Sequence, residues 1–171
     1  RATLLVCMPT QPFITSTIRL ALEKLKITGG RHISTVVPIE RDAKSTITQI
    51  GLNNSPKETI YWQTIENAEL GKRHELITSS IKSRLNAAQS AVQDFPQMQE
   101  CLEQIAHNYE QAANQGDANA ANFAGNARLL RWMLNERFVV LGMQSLAQKK
   151  VQSNGQISLG IGRTEGGPSI E

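Results

Sequence analysis

The chain has 171 residues, 40% of them hydrophobic, with 18 basic residues, 15 acidic residues and a net charge of +3. This length and composition predict one domain of ordinary size with a buried core. The basic residues are scattered among acidic ones without interleaved aromatics, and no apolar run approaches 18 residues. The composition therefore argues against nucleic-acid and membrane partners.

The two cysteines, Cys7 and Cys101, lie far apart in apolar-rich segments. We expect them to be buried, reduced thiols rather than a disulfide, which is typical of a cytoplasmic protein. No signal peptide is apparent. The chain opens with Arg1 almost directly on a predicted strand. We therefore expect a single domain, 1–171, that is a fragment of a longer protein.

The first half of the chain predicts a strand, a helix and three more strands. Residues 3–8 are an apolar run of strand length, and Pro12 suits the first turn of a helix that ends at the Gly-Gly pair 29–30. The helix carries apolar residues at helical spacing: Ile14, Ile18, Ala21, Leu22 and Leu25. The next strand, 31–39, alternates to suit a half-buried position, with Ile33, Thr35, Val37 and Ile39 on one side. Two further strands are predicted at 47–52 and 58–66.

From about residue 69 to residue 136 the pattern is helical. Asp94 and Gln97 have the spacing of a capping box, which predicts that a new helix begins around Pro96. Asp117 is placed to cap the last helix. We expect the two tryptophans, Trp62 and Trp132, to anchor the core.

The last helix carries an apolar stripe of Ala127, Leu130 and Leu134. The run Phe-Val-Val-Leu at 138–141 predicts a buried strand. A second strand is predicted at 157–161, after a Ser-Asn-Gly turn at 153–155. The chain therefore ends in a predicted β-hairpin, and we expect 163–171 to begin a linker.

Three separated segments carry motifs of moderate specificity. The first is Thr-Gln-Pro-Phe-Ile-Thr-Ser-Thr-Ile at 10–18, and the second is Val-Gln-Asp-Phe-Pro-Gln-Met at 92–98. The third comprises Leu129, Leu130, Trp132, Met133, Phe138, Leu141, Gly142, Met143 and Leu159-Gly160-Ile161. In this order they resemble the N-terminal, ACT-like region of the large bacterial NAD-dependent glutamate dehydrogenases. That family has acidic residues in place of Thr10 and Ser16, and an aromatic residue in place of Met143.

The resemblance implies an α+β fold: an ACT-like, ferredoxin-like βαββαβ sheet with extra helices packed on one face and a C-terminal β-hairpin. It also implies a parent enzyme that oxidises L-glutamate to 2-oxoglutarate and ammonium with NAD. The catalytic and NAD-binding domains of that enzyme would lie downstream. ACT modules commonly bind amino acids or build oligomers. The expected partners are therefore the downstream domains, an amino-acid effector and further copies of the chain.

No residues in this chain have the spacing of a catalytic, dinucleotide-binding or metal-binding motif. The three histidines, for example, lie in separate predicted elements. The candidate effector site is the strand-to-helix turn, where hydroxyls meet the first amides of a helix: Thr10, Gln11, Phe13, Thr15, Ser16 and Thr17. Helix capping and surface polarity are the alternative roles of the same hydroxyls.

Three functional hypotheses follow from these patterns. The chain is a regulatory ligand-binding module, a structural assembly domain, or an independent catalyst. The third has no supporting motif. The first two are not separated by the sequence, although a large exposed apolar patch would favour assembly.

Overall fold

The structure, a computed structural model, describes residues 2–51, 54–65, 70–115, 118–135, 138–144 and 158–163. The chain divides into two compact units, residues 1–86 and 87–171. The boundary falls within the long helix α2, Leu70–Asn114. The predicted α+β class is confirmed: helices accompany a four-stranded antiparallel sheet and a separate pair of strands.

The first unit is built on the four-stranded sheet. Its elements are β1 (Ala2–Pro9), α1 (Ile14–Lys24), β2 (Gly29–Arg41), β3 (Ile47–Ile50) and β4 (Lys57–Ile65). The strand order is β1-β4-β2-β3, and β4 is antiparallel to both β1 and β2. β1 and β2 are therefore parallel, joined through α1 and separated by β4. This is a split β-α-β unit, the first half of the predicted sheet.

The second half of the predicted βαββαβ arrangement is not confirmed. In a complete ferredoxin-like sheet, a strand after the second helix would pair with the outer edge of β1. Within the described ranges, the recorded partner of β1 is β4 alone. The strands that follow α2 pair with each other instead. The sheet is thus the split β-α-β unit extended by β3, which pairs with the free edge of β2.

The core of the first unit lies on one face of the sheet. The apolar stripe predicted for α1 is buried, because residues at i, i+4 and i+7 or i+8 share one face of a helix. The buried cluster contains Ile14, Ile18, Ala21, Leu22, Ile27, Tyr61, Ile65, Ile77, Ile81 and Leu85. The last three come from the first turns of α2. Thus α1 and the start of α2 share a core with β4.

The helix α1 ends earlier than predicted. Lys26 adopts a left-handed backbone with φ 54°, and its amide donates to the carbonyl of Glu23. The Gly-Gly pair 29–30 instead begins β2, where it lies close against β4. A Cβ atom on Gly29 would lie 2.0 Å from Nε2 of Gln63. These glycines therefore serve strand packing and not helix termination.

The other face of this sheet is open and partly apolar. Leu5, Trp62 and Ile33 are register partners across β1, β4 and β2, so their side chains share one row. Leu5 and Ile33 are each 61% exposed, whereas Trp62 is half-buried. Two expectations are therefore wrong, the first of them in part. On the side of 31–39 predicted to be buried, Ile33 and Thr35 are exposed, although Ile39 is buried. Trp62 is not a core anchor. Alternation reveals two faces but not which one is covered.

The described residues of the helical region form the helices α2 and α3 (Ala120–Leu134). The predicted restart at Asp94 is wrong, because α2 runs through Pro96 without interruption. Asp94 lies inside the helix, where its Oδ2 accepts a 2.7 Å hydrogen bond from the amide of Gly160. The N-cap of α3 is Asn119. Asp117, predicted to cap this helix, lies outside the described residues.

The second unit also contains a small antiparallel pair, β5 (Gly142–Gln144) and β6 (Ser158–Gly160), followed by a 3-10 turn at Ile161–Arg163. The predicted pairing is thus present, and its turn at 153–155 lies outside the described residues. The expectation of a buried strand at 138–141 is wrong. Phe138, Val139 and Leu141 are 52%, 60% and 47% exposed, and the strand begins only at Gly142.

Three remaining expectations concern single residues and the tail. Cys7 is exposed and Cys101 half-buried, and both thiols are free, so the expected burial of Cys7 is wrong. Trp132 is 50% exposed and packs edge-on against Phe138, so it is not a core anchor either. The predicted linker lies outside the described residues, apart from Arg163. None of the helices in the described ranges is long and apolar enough to cross a membrane.

Candidate functional site

The strand-to-helix turn is shaped by its backbone. β1 ends at Pro9, and the amide of Thr10 still donates to the carbonyl of Lys57 at 2.9 Å. Phe13 then adopts the left-handed region, with φ 71°, and α1 begins at Ile14. A positive φ is uncommon for a bulky residue, so the chain holds a strained conformation here. Phe13 occupies the N-cap position of α1, and no side chain caps the helix there.

Two of the candidate hydroxyls meet hydroxyls from the sheet. Oγ1 of Thr10 lies 3.1 Å from Oγ1 of Thr59 on β4. Oγ1 of Thr15 donates to Oγ of Ser34 on β2 at 3.4 Å. Thr59 and Ser34 belong to the face of the sheet that α1 covers, because they share the register parity of Tyr61. The turn and the covered face therefore bring four hydroxyl groups to the start of α1.

Gln11 is the candidate residue with an unsatisfied group. Its Nε2 atom is fully buried and has no hydrogen-bond partner within the described part of the chain. A buried donor without an acceptor costs about 1–3 kcal/mol, so such groups are rare in folded proteins. An oxygen acceptor of a ligand would satisfy this amide if the Gln11 side chain turned to expose it, because the atom has no accessible surface in this structure.

The other three candidate residues serve the helix itself. Oγ of Ser16 donates to the carbonyl of Phe13 at 3.0 Å, and the amide of Thr17 donates to the same carbonyl at 2.9 Å. The Phe13 side chain is 46% exposed. The contacts of Ser16 and Thr17 lie within the first turn of α1. They are not helix caps, because a capping hydroxyl accepts a hydrogen bond from a helix amide.

Thr59 and Ser34 were not among the predicted site residues. Both come from strands distant in sequence from the turn, and they join it only through strand pairing. The one available signal was that Thr59 falls within the predicted strand 58–66. A local motif does not specify the register of strand pairing, so these hydroxyl contacts were not predictable from the motif at 10–18.

Buried polar groups continue along β4 on the covered face. The hydroxyl of Tyr61 donates to Oε1 of Gln63 at 2.5 Å, and Nε2 of Gln63 donates to the carbonyl of Gly30 at 3.3 Å. Burial raises the pKa of the Tyr61 hydroxyl, which keeps it protonated as a donor. This network is satisfied by its own members, in contrast to Gln11.

An ion pair in the first unit joins Arg41 and Glu58. The guanidinium of Arg41 donates to both carboxylate oxygens of Glu58, at 2.6 and 2.8 Å. This hydrogen bonding holds the pKa of Glu58 below its usual value. Arg41 also donates to the carbonyl of Ser45, so it ties the β2–β3 loop to β4. The pair has a structural role and is satisfied without a ligand.

The second unit offers an open polar trough between α2 and α3. Its lining residues are Glu100, Glu103, Gln104, His107 and Arg131. Arg131 donates to both oxygens of Glu110, at 3.0 and 3.2 Å, and this hydrogen bonding lowers the pKa of Glu110. No group of three or more metal-ligating side chains is found in the ranges that the structure describes. Arg131 thus joins α3 to α2 beside this trough.

Neither protein-family models nor curated proteins nor solved structures yield a match to this chain. Function is therefore inferred from the geometry of its own residues and from the resemblance of three short segments.

Proposed function

We propose that this chain is a non-catalytic regulatory module that binds a small carboxylate ligand at the turn 9–17. In this proposal it is an ACT-like N-terminal region of a large, cytoplasmic NAD-dependent glutamate dehydrogenase. NAD and the oxidation of glutamate belong to downstream domains of the same chain. The free state of both cysteines supports the cytoplasmic location.

The observation that carries the proposal is the buried Nε2 of Gln11 without a partner. A second donor set lies a few residues away, because the first amides of α1 point out of a helix whose N-cap residue supplies no side-chain acceptor. Both donor sets require an oxygen acceptor, and the positive end of the helix dipole favours an anionic one. A carboxylate meets both requirements.

The residues of the turn also indicate which ligands are disfavoured. Thr10 and Ser16 stand where the resembled family has acidic residues, so this turn has no carboxylate to hold an ammonium group. Hydroxyl groups, at Thr10, Thr15, Ser34 and Thr59, take their place. We therefore expect 2-oxoglutarate to bind more tightly than glutamate or aspartate, which carry an ammonium group.

The test is thermal unfolding of the wild type and of Gln11→Leu with millimolar 2-oxoglutarate, glutamate or aspartate. A ligand at about 100 times its dissociation constant stabilises a protein by about 2.7 kcal/mol. Gln11→Leu removes the unsatisfied donor, so without ligand it should match or exceed the wild type by about 1 kcal/mol. The stabilisation that the ligand gives the wild type should be absent in Gln11→Leu.

The matched control is Gln49→Leu, which changes an exposed amide on β3. It should respond to ligand like the wild type. If a ligand stabilises Gln11→Leu and the wild type equally, the site is elsewhere. If no ligand stabilises the wild type, the regulatory proposal fails.

The open face of the four-stranded sheet supports a second candidate function, assembly. Leu5 and Ile33, each 61% exposed, flank Trp62 in one row. Apolar surface of this kind is often covered by a partner. Under this alternative the chain binds no effector and joins copies of itself through the sheet.

Light scattering over a concentration series tests the assembly function. Ile33→Lys should reduce the molar mass to that of one chain, because it places a charge in the row. The control is Leu20→Lys on α1, where the original side chain is similarly exposed, at 57%. A wild type that is already monomeric at all concentrations would rule out assembly.

A further inference from the structure

No further inference is drawn: the strongest candidate, the exposed apolar surface of Leu129, Trp132 and Phe138 in the second unit, carries none because nothing in the structure shows what covers it.

Discussion

The two units of this chain bury different kinds of side chain. In the first unit the core cluster consists mainly of isoleucine and leucine and includes the fully buried Tyr61. In the described part of the second unit the buried apolar residues are Ala91, Met98, Ala106, Ala127 and Leu159. Three of these five are alanines, and burial of an alanine removes little apolar area from water. Among the described residues, hydrophobic burial therefore contributes more to the first unit than to the second.

Specific polar and aromatic contacts also hold the described part of the second unit. Asp94, inside α2, binds the amide of Gly160, and Arg131 on α3 binds Glu110 on α2. Tyr109 and Phe123 stack with their ring centroids 5.9 Å apart. Contacts of this type fix geometry well but contribute modest net stability each. Stability in this unit should thus depend on a few positions and not on a broad core.

Each unit contains one of the two tryptophans, which makes the comparison measurable. The background Trp132→Phe leaves Trp62 as the fluorescent reporter of the first unit. The background Trp62→Phe leaves Trp132 to report the second. Urea unfolding in both backgrounds gives a separate midpoint for each unit.

The largest effect is expected from Ile18→Ala, which empties a fully buried position in α1. The cavity and the lost apolar burial should lower the free energy of unfolding of the first unit by about 2–5 kcal/mol. The measurement is the urea midpoint reported by Trp62. Ile33→Ala, at a position that is 61% exposed, should change it by no more than about 0.5 kcal/mol. Equal losses in the two variants would show that the covered face has been misassigned.

A smaller loss, of about 1–3 kcal/mol, is expected in the second unit from Gly160→Ala. Gly160 has φ +57°, and an added Cβ would lie 2.2 Å from the carbonyl oxygen of Leu141. Any side chain at this position strains the backbone and displaces the Gly160 amide, which donates a hydrogen bond to Asp94. Trp132 fluorescence in urea reports the change.

The control for this variant is Gly125→Ala in α3, where an added Cβ meets no atom within 4 Å. Alanine favours the helix over glycine by about 0.5–1 kcal/mol, so this variant should be stabilised. The two glycine variants should therefore shift the midpoint in opposite directions. Shifts of the same sign would contradict the role assigned to Gly160.

The smallest expected effect is a loss of stability at low pH, which one ion pair in each unit should contribute to. The pKa values of Glu58 and Glu110 are both lowered in the folded state, chiefly by hydrogen bonds from Arg41 and Arg131 respectively. Each pair therefore stabilises the fold above the pKa of an unfolded glutamate, about 4.3. That stabilisation is lost as the pH falls through the lower, folded-state pKa. The measurement is the urea midpoint of each unit between neutral pH and strong acid.

The salt dependence of stability should distinguish the contributions of the two ion pairs. The Glu58 side chain is 11% exposed and that of Glu110 is 41% exposed, so dissolved ions screen the second pair more. Glu58→Gln should reduce the loss of stability in acid that the first unit shows, at low and at high salt concentration. Glu110→Gln should reduce the corresponding loss of stability in the second unit only at low salt concentration. An acid profile that neither substitution alters would exclude both ion pairs as its source.

The sequence predicted the elements in which local pattern and burial agree. β1 and β4 lie close to their predicted bounds and α1 begins close to its predicted start, because the α1 stripe and the strand runs meet a core on the expected side. The prediction from sequence failed where a local signal competed with tertiary structure. The capping box at Asp94 is genuine as a pattern, yet α2 continues through Pro96 and Asp94 binds Gly160 instead. The apolar run at 138–141 is exposed, because hydrophobicity alone does not supply a partner strand.

The candidate site was predictable in part. The turn, the helix start and the hydroxyls at Thr10 and Thr15 follow from the motif at 10–18. The facing hydroxyls of Thr59 and Ser34 do not, because they depend on strand register. The unsatisfied amide of Gln11 was equally invisible, since burial of a single atom is a property of packing.

The position of β4 between β1 and β2 has a consequence for folding on the ribosome. The central strand is the last of the four to be synthesised, so β1 and β2 emerge before the strand that pairs with both. Register partners such as Ala2 and Ile65 are far apart in sequence, and such non-local pairing slows folding. Until β4 emerges, the nascent chain exposes two strands with apolar side chains. This interval is when a chaperone that binds extended apolar segments would protect the chain most.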